Sequence, residues 1–136
     1  MDYFKKFILL FVFLLITNSA IANTSEFIGV VGAAIGKIKN QNNEILVNGS
    51  KIYYGDTIIS EEKSNAQILF LDQTVLTLGE DTELTIDEFI YDPNSHDGSF
   101  VSNVKSGTVK FITGQISKKN PDNLEVKIPS GTLGAR

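Results

Sequence analysis

The chain has 136 residues, no cysteine, a single histidine and a formal net charge of −4 at pH 7. Without cysteine, the fold must be held together by an apolar core, which about 100 residues can supply. The acidic balance argues against nucleic-acid binding, which needs a clustered positive face, since Lys118 and Lys119 are the one basic pair outside the N-terminal segment.

Residues 1–22 have the layout of a secretory signal peptide. Two lysines precede an unbroken apolar run over residues 7–16, and Ala20 and Ala22 occupy the positions of an A-x-A cleavage site. A membrane anchor is the alternative, but a bilayer span needs about 20 apolar residues and this run is half as long. We therefore expect cleavage after Ala22, a periplasmic or secreted location and no membrane span in the mature chain, residues 23–136.

The first part of the mature chain alternates strand signals with turn signals. Residues 27–36 combine β-branched residues with three glycines, which predicts a strand with a bulge or a close backbone approach. The glycine spacing does not fit a dinucleotide-binding loop. Residues 45–47 form a short strand pattern that ends at Asn48 and Gly49, a strong two-residue hairpin signal, so residues 51–54 are expected to pair back across this turn.

The stretch over residues 64–91 is the centre of the predicted domain. Leu76 and Leu78 alternate with a polar residue, and Leu84 and Ile86 repeat this pattern. A period of two is what a sheet with one buried face requires, whereas a helix needs apolar residues three and four apart. The stretch is therefore predicted to form three strands separated by two polar turns.

The last part of the chain continues the strand pattern with interruptions. The alternation slips at residues 87–88, which predicts a bulge, and residues 92–98 form a loop pattern. Residues 107–113 and 124–128 alternate again, with a polar loop expected over residues 117–123. About ten short, mostly antiparallel strands and no helix predict one all-β domain, an irregular sandwich or roll or a short β-solenoid.

Candidates for catalytic chemistry are few. A Ser–His–Asp set could only be built on His96, which lies in a loop pattern with proline and glycine. Glycoside hydrolysis needs two carboxylates that face each other across a cleft, whereas neighbours on a strand point to opposite faces and neighbours in turns are solvated. The adjacent pairs are Asp87 and Glu88, Glu80 and Asp81, and Glu61 and Glu62. We expect no enzyme activity and no catalytic residues.

Candidates for ligand binding are equally few. The loop over residues 92–98 has a superficial likeness to a calcium loop, but His96 stands at its fifth position and Asn103 at its twelfth. Its glycine also comes one place late, so we predict no metal site and no cofactor. Aromatic residues on strands can form a binding face, although they more often pack in the core or at its rim. Three tyrosines are candidates for such a face: Tyr53, Tyr54 and Tyr91.

Taken in order, several motifs resemble the FecR domain, a periplasmic all-β module. They cover most of residues 30–136, and their order is more specific than any one of them. A Gly-Asp turn before a strand matches residues 54–58, and an LxLG strand matches residues 66–79. The following strand of the family matches residues 83–93, a GxVxF strand matches residues 104–111, and the closing signature matches residues 126–136.

The resemblance implies a non-catalytic module. In the sigma-regulator members, a cytoplasmic segment binds a sigma factor, a transmembrane helix crosses the inner membrane, and this domain receives a signal from an outer-membrane transporter. This chain carries a predicted signal peptide in place of the cytoplasmic segment and the transmembrane helix, so it looks more like exported FecR-domain proteins. The closing signature stops at Arg136, where family members continue with another glycine and strand, which leaves open that the domain is truncated at its C-terminal end.

We therefore expect a protein-interaction or signalling scaffold in the cell envelope, whose partner is another envelope protein or a surface polymer. Strand addition at a sheet edge is one physical route to such a partner. The alternative function is a carbohydrate- or cation-binding surface module.

Overall fold

The computed structural model describes residues 3–6, 26–129 and 131–134. The predicted signal peptide and its cleavage after Ala22 lie outside these residues, apart from residues 3–6, which are helical. In the described part of the chain, no helix combines the length and the apolar character that crossing a bilayer requires.

Eleven strands account for most of the described residues. They are β1 (Phe27–Ile35), β2 (Ile38–Asn40), β3 (Lys51–Tyr53), β4 (Thr57–Ser60), β5 (Asn65–Phe70), β6 (Val75–Leu78), β7 (Glu83–Tyr91), β8 (Gly98–Ser106), β9 (Val109–Ile112), β10 (Leu124–Ile128) and β11 (Gly131–Gly134). One short α-helix, α1 (Gln115–Lys119), and a 3-10 turn (Pro121–Asn123) separate β9 from β10.

The strands form two sheets that enclose one core. Sheet A has the strand order β3-β1-β5-β6-β9, and sheet B has the order β11-β10-β8-β7-β4-β2. Neighbouring strands are antiparallel except for β8 and β10, which are parallel. The all-β, mostly antiparallel prediction is therefore confirmed, and the arrangement is the sandwich among the predicted alternatives.

The core lies between the sheets and follows the predicted alternation. Leu76 and Leu78 on sheet A and Leu84 and Ile86 on sheet B have no solvent exposure. Aromatic rings join the two layers, because the ring centroid of Phe70 on β5 lies 5.7 Å from that of Phe89 on β7 and 4.7 Å from that of Phe100 on β8. The Phe70–Phe100 contact is edge-on, which is a favourable arrangement of aromatic quadrupoles.

Both predicted backbone irregularities are present. The register of β7 against β8 shifts between Ile86 and Glu88, where the alternation slips in the sequence. The register of β1 against β5 shifts between Val31 and Ala33. A side chain at Gly29 would place its Cβ 2.8 Å from a backbone oxygen of β5, so this glycine permits the close approach of the two strands.

The predicted hairpin around Asn48 and Gly49 is wrong, although the turn itself forms. The strand β3 pairs with β1, and Ile45 forms an isolated bridge with Lys39 on β2. A separate two-stranded hairpin would have no core to pack against. The observed pairing makes β3 part of sheet A and buries its Ile52 completely in the core between the two sheets. Burial in the core therefore overrides the local turn signal.

The predicted absence of helix and the predicted loop over residues 117–123 are also wrong in part. Helix α1 reaches Lys119, and Ile116 and Ser117 are buried. The backbone N–H of Gln115 donates to the carbonyl oxygen of Asp72 at 2.7 Å, and the N–H of Ile116 donates to the Asp72 carboxylate at 3.4 Å. The first turn of α1 is thus held by a buried aspartate distant in sequence, which a local pattern cannot show.

Candidate functional site

The loop over residues 92–98 holds the single histidine of the chain. His96 has a left-handed backbone conformation, with φ of 63°, and its side chain is exposed. Its ring stacks on Tyr91, with the two ring centroids 6.2 Å apart. Its backbone N–H donates to the carbonyl oxygen of Asp92 at 2.8 Å. These contacts are those of a loop residue packed on an aromatic side chain.

The carboxylates of this loop bind groups of the chain itself. The Asp97 carboxylate lies 2.6 Å from Lys119 Nζ, which also donates to the Ser95 carbonyl oxygen at 2.8 Å. The hydrogen bond from Lys119, and then that from Ser95, lowers the pKa of Asp97 below its ordinary value. The backbone N–H of Asn94 is the main cause that lowers the pKa of Asp92. Across the described residues, no three histidine or acidic side chains are placed to hold a metal ion.

The carboxylates of Asp87 and Glu88 line one groove, contrary to the expectation that strand neighbours point to opposite faces. The register shift after Ile86 is the reason, because a bulge turns the two side chains toward the same side. The groove has a volume of about 550 Å³ and is also lined by Glu26 and Tyr54. Ile28, Phe89 and Ile90 complete its lining, so the groove combines three acidic residues with apolar and aromatic ones, and we call it the acidic groove.

The other two carboxylate pairs lie in turns and contact chain groups there. Glu61 lies 3.2 Å from Lys39 Nζ and 3.7 Å from Lys37 Nζ. The Glu80 carboxylate accepts a hydrogen bond from the backbone N–H of Lys63 at 2.9 Å. These two glutamates therefore stabilise the turns between strands.

The three candidate tyrosines do not form one platform. Tyr53 lies on β3 opposite Phe27 of β1, on the outside of sheet A. Tyr54, one residue later, lines the acidic groove, and Tyr91 packs against the core beside His96. The structure thus separates these side chains onto three different surfaces.

An apolar row crosses the outer face of sheet A. The strand register places Val30 opposite Leu69, Leu69 opposite Val75, and Val75 opposite Ile112. Residues directly opposite on neighbouring strands point to the same face, so these four side chains form a continuous line across β1, β5, β6 and β9. Leu69 is 46% exposed and Ile112 is 52% exposed, whereas Val30 and Val75 are half-buried. We call this line the apolar row.

The rest of this outer face has an unusual charge pattern for an acidic chain. Its described strands present two lysines and no carboxylate. The alternation and the strand register assign the following residues to this face: Phe27, Val30, Ala33, Ile35, Lys51, Tyr53, Asn65, Gln67, Leu69, Val75, Thr77, Lys110 and Ile112. The ammonium of Lys51 lies over the ring of Phe27, 5.1 Å from its centroid. The face is therefore apolar and, where it is charged, positive.

The outer face of sheet B is different in kind. Glu83 on β7 pairs with Lys105 on β8 at 3.2 Å, and the hydroxyls of Thr57 and Thr85 lie 2.8 Å apart. Charges of both signs alternate on this face, as expected for a surface that contacts water. The outer face of sheet A is therefore the more apolar of the two outer faces.

Sequence reasoning missed this surface. The signal that could have found it is the unbroken apolar run over residues 68–71, where strict alternation would place polar residues at every second position. Leu69 breaks the period of two on β5, and Ile112 does the same at the end of β9. Apolar residues at outward positions of a half-buried strand indicate a second apolar face.

Comparison with known proteins supports the resemblance seen in the motifs. The family model described as FecR protein matches residues 56–136, which is more than half of the chain. The match begins at Asp56, so the part of the resemblance over residues 30–55 lies outside it. Searches of curated proteins and of solved structures found no match. The chain therefore belongs to the FecR family, a family of signalling-related domains.

Proposed function

We propose that this chain is an exported FecR-family module that binds another protein of the cell envelope through the outer face of sheet A. The observation that carries the proposal is the apolar row, in which Leu69 and Ile112 are about half exposed on a face without carboxylates in the described strands. Contiguous exposed apolar surface on a folded protein marks an interaction site, since water is a poor solvent for it.

Export is the second element of the proposal, and the layout of residues 1–22 supports it. Membership of a signalling-related family agrees with this proposal, in which binding of the partner to the outer face of sheet A transmits the signal. The charge pattern favours a protein partner with acidic groups at the margin of its contact surface, because Lys51 and Lys110 flank the apolar row.

The size of the face indicates what kind of complex to expect. Five strands spaced about 4.8 Å apart span about 20 Å, and four residues along a strand span about 13 Å, so the face covers about 250 Å² in projection. A stable complex of standard size buries about 800 Å² on each partner. The face of sheet A therefore suits a transient contact, or forms the centre of an interface that continues beyond it.

The experiment compares three versions of the mature chain as bait for envelope extract: the wild type, Leu69→Lys and Ile45→Lys. Ile45 is the matched control, since it is a branched aliphatic side chain exposed to a similar extent as Leu69 but lies in the loop beside β2. A lysine in the centre of an apolar contact removes a hot spot, so Leu69→Lys is expected to reduce recovery of the bound protein about tenfold or more.

The control variant is expected to recover the same protein as the wild type, and thermal unfolding should show that all three versions are folded. Equal recovery by all three versions would place the docking surface elsewhere. Recovery of no protein at micromolar bait concentration would count against a binding function altogether.

A second candidate function is carbohydrate binding at the acidic groove. The observation in its favour is the position of Tyr54, which is 62% exposed and lines the groove with Asp87 and Glu88. An aromatic ring beside carboxylates can stack on a sugar and accept hydrogen bonds from its hydroxyls. Binding on a glycan array that is lost in Tyr54→Ala and kept in Tyr53→Ala would favour this candidate, because the structure places Tyr53 on the other surface.

A further inference from the structure

The strand β9 (Val109–Ile112) forms one edge of sheet A, and within the described residues its one ladder partner is β6. The edge strands β2 and β3 have backbone groups that form hydrogen bonds outside their sheet ladders. The N–H of Leu46 donates to the carbonyl oxygen of Ile38 at 2.8 Å and so covers β2. On β3, the other edge strand of sheet A, the backbone N–H of Tyr53 donates to the Asp56 carboxylate at 2.8 Å. Uncovered edge strands are the usual sites of strand addition.

The inward side chains of β9 are less buried than the inward side chain of β3, the strand at the opposite edge of the same sheet. Val109 and Phe111 point inward, opposite Leu78 and Leu76, yet both are only half-buried. The inward residue of the opposite edge strand, Ile52, is fully buried. An added strand would place apolar side chains beside Val109 and Phe111 and remove more of their surface from water, which is favourable at about 25 cal/mol per Å².

The outward residues of β9 indicate the chemistry of the added strand. Lys110 and Ile112 lie on the outer face of sheet A, and Ile112 ends the apolar row at this edge. A residue opposite Lys110 on an added strand would lie about 5 Å away, and a carboxylate there would be favoured over an ammonium. A second copy of this chain is a poor candidate, because its own β9 carries the same lysine and no carboxylate.

We propose that β9 accepts an extended segment of the partner protein by strand addition, with apolar residues at inward positions and a carboxylate opposite Lys110. The proposal deepens the proposed function and rests on it. The outer face of sheet A alone is smaller than the contact area of a stable complex. An added strand would enlarge this area, since it continues the apolar face beyond Ile112 and contributes main-chain hydrogen bonds that the face alone does not offer.

The test uses two octapeptides, acetylated and amidated at their ends, in which valine alternates with glutamate or with lysine. Each is titrated into the ¹⁵N-labelled mature chain and observed by NMR. The glutamate peptide is expected to shift the backbone amides of residues 109–112 more than those of β3. Lys110→Glu is expected to weaken its binding about two- to fivefold, as for an exposed ion pair, and to strengthen binding of the lysine peptide.

The matched control is Lys127→Glu, on the exposed side of β10 in sheet B, which is expected to leave both affinities unchanged. Amide shifts absent up to millimolar peptide, centred away from β9, or equal for both peptides in all variants would overturn the proposal. Self-association that grows with protein concentration and is lost in Lys110→Glu would also overturn it, since the occupant would then be a second copy.

The outcomes separate this proposal from the proposed function. If Leu69→Lys loses the envelope partner while neither peptide affects β9, docking on the face stands and strand addition falls. If the glutamate peptide binds at β9 while Leu69→Lys recovers the partner like the wild type, strand addition stands and the apolar row is not the docking surface.

Discussion

Two buried serines offer a direct test of the packing described above. Ser60 and Ser102 are 2% and 0% exposed, and changing either to alanine removes the same single oxygen atom. Ser60 Oγ accepts the backbone N–H of Thr82 at 3.0 Å and donates to the carbonyl oxygen of Gly79. Ser102 Oγ, in the core, has no hydrogen-bond partner among the described residues.

The two changes should therefore have different effects on the free energy of unfolding. Ser60→Ala leaves the N–H of the buried Thr82 without an acceptor, which costs about 1–3 kcal/mol. Ser102→Ala removes an unsatisfied hydroxyl from between Ile86 and Val126, and is expected to be neutral or to stabilise the fold by about 1 kcal/mol. The two variants should thus differ by about 2 kcal/mol, or by about 8 °C in melting temperature.

Urea unfolding followed by circular dichroism measures this difference. The slope of the free energy against urea concentration should be the same in both variants and in the wild type, so that the change in midpoint reports stability alone. A cost for Ser102→Ala equal to that for Ser60→Ala would show that the Ser102 hydroxyl has a partner, and the assignment of β8 to its neighbours would then need revision.

Two further predictions concern the core and the loop. Leu78→Asp should unfold the domain, because Leu78 has no solvent exposure and an unpaired buried charge costs about 3–5 kcal/mol; a melting temperature equal to that of the wild type would show that this side chain contacts water. Lys119→Met should raise the pKa of Asp97 toward its ordinary value, since the hydrogen bond from Lys119 is the main cause of its depression. A carboxylate whose pKa is lowered by folding stabilises the folded state at neutral pH, and this stabilisation is lost as the pH falls through the pKa of the folded state. The free energy of unfolding of the variant should therefore lose the part of its decrease at acid pH that Asp97 contributes. Carboxyl NMR titration of Asp97 with an unchanged pKa in the variant would contradict the pairing.

The alternation of apolar and polar residues was sufficient to predict the strands at the centre of the domain. Leu84 and Ile86 face the core because residues two apart on a strand share a face, and that rule depends on nothing outside the strand. The slip at Asp87 and Glu88 was equally readable, because an extra residue in one strand changes the phase of the pattern.

Features that depend on distant residues could not be read in this way. The turn at Asn48 and Gly49 forms as predicted, but which strand pairs with β3 is decided by the core that Ile52 enters. Helix α1 begins where the buried Asp72, more than forty positions earlier in the sequence, accepts its first backbone N–H groups. The apolar row was missed for the same reason, since its four members come from four strands and strands of sheet B lie between β1 and β5 and between β6 and β9 in the chain.

The position of the apolar row also limits which part of the chain can carry the proposed function. The family match begins at Asp56, but β1 lies between β3 and β5 inside sheet A and contributes Val30 to the row. Without β1, the edge of β5 would be exposed and Ile68 and Phe70, now buried, would lose the neighbours that cover them on one side. Unpaired strand edges beside exposed apolar side chains promote aggregation, so residues 56–136 alone would be expected to bind nonspecifically. A binding experiment therefore measures the proposed surface only if the protein used includes β1, and a partner that binds the matched segment alone would argue against the apolar row as the docking site.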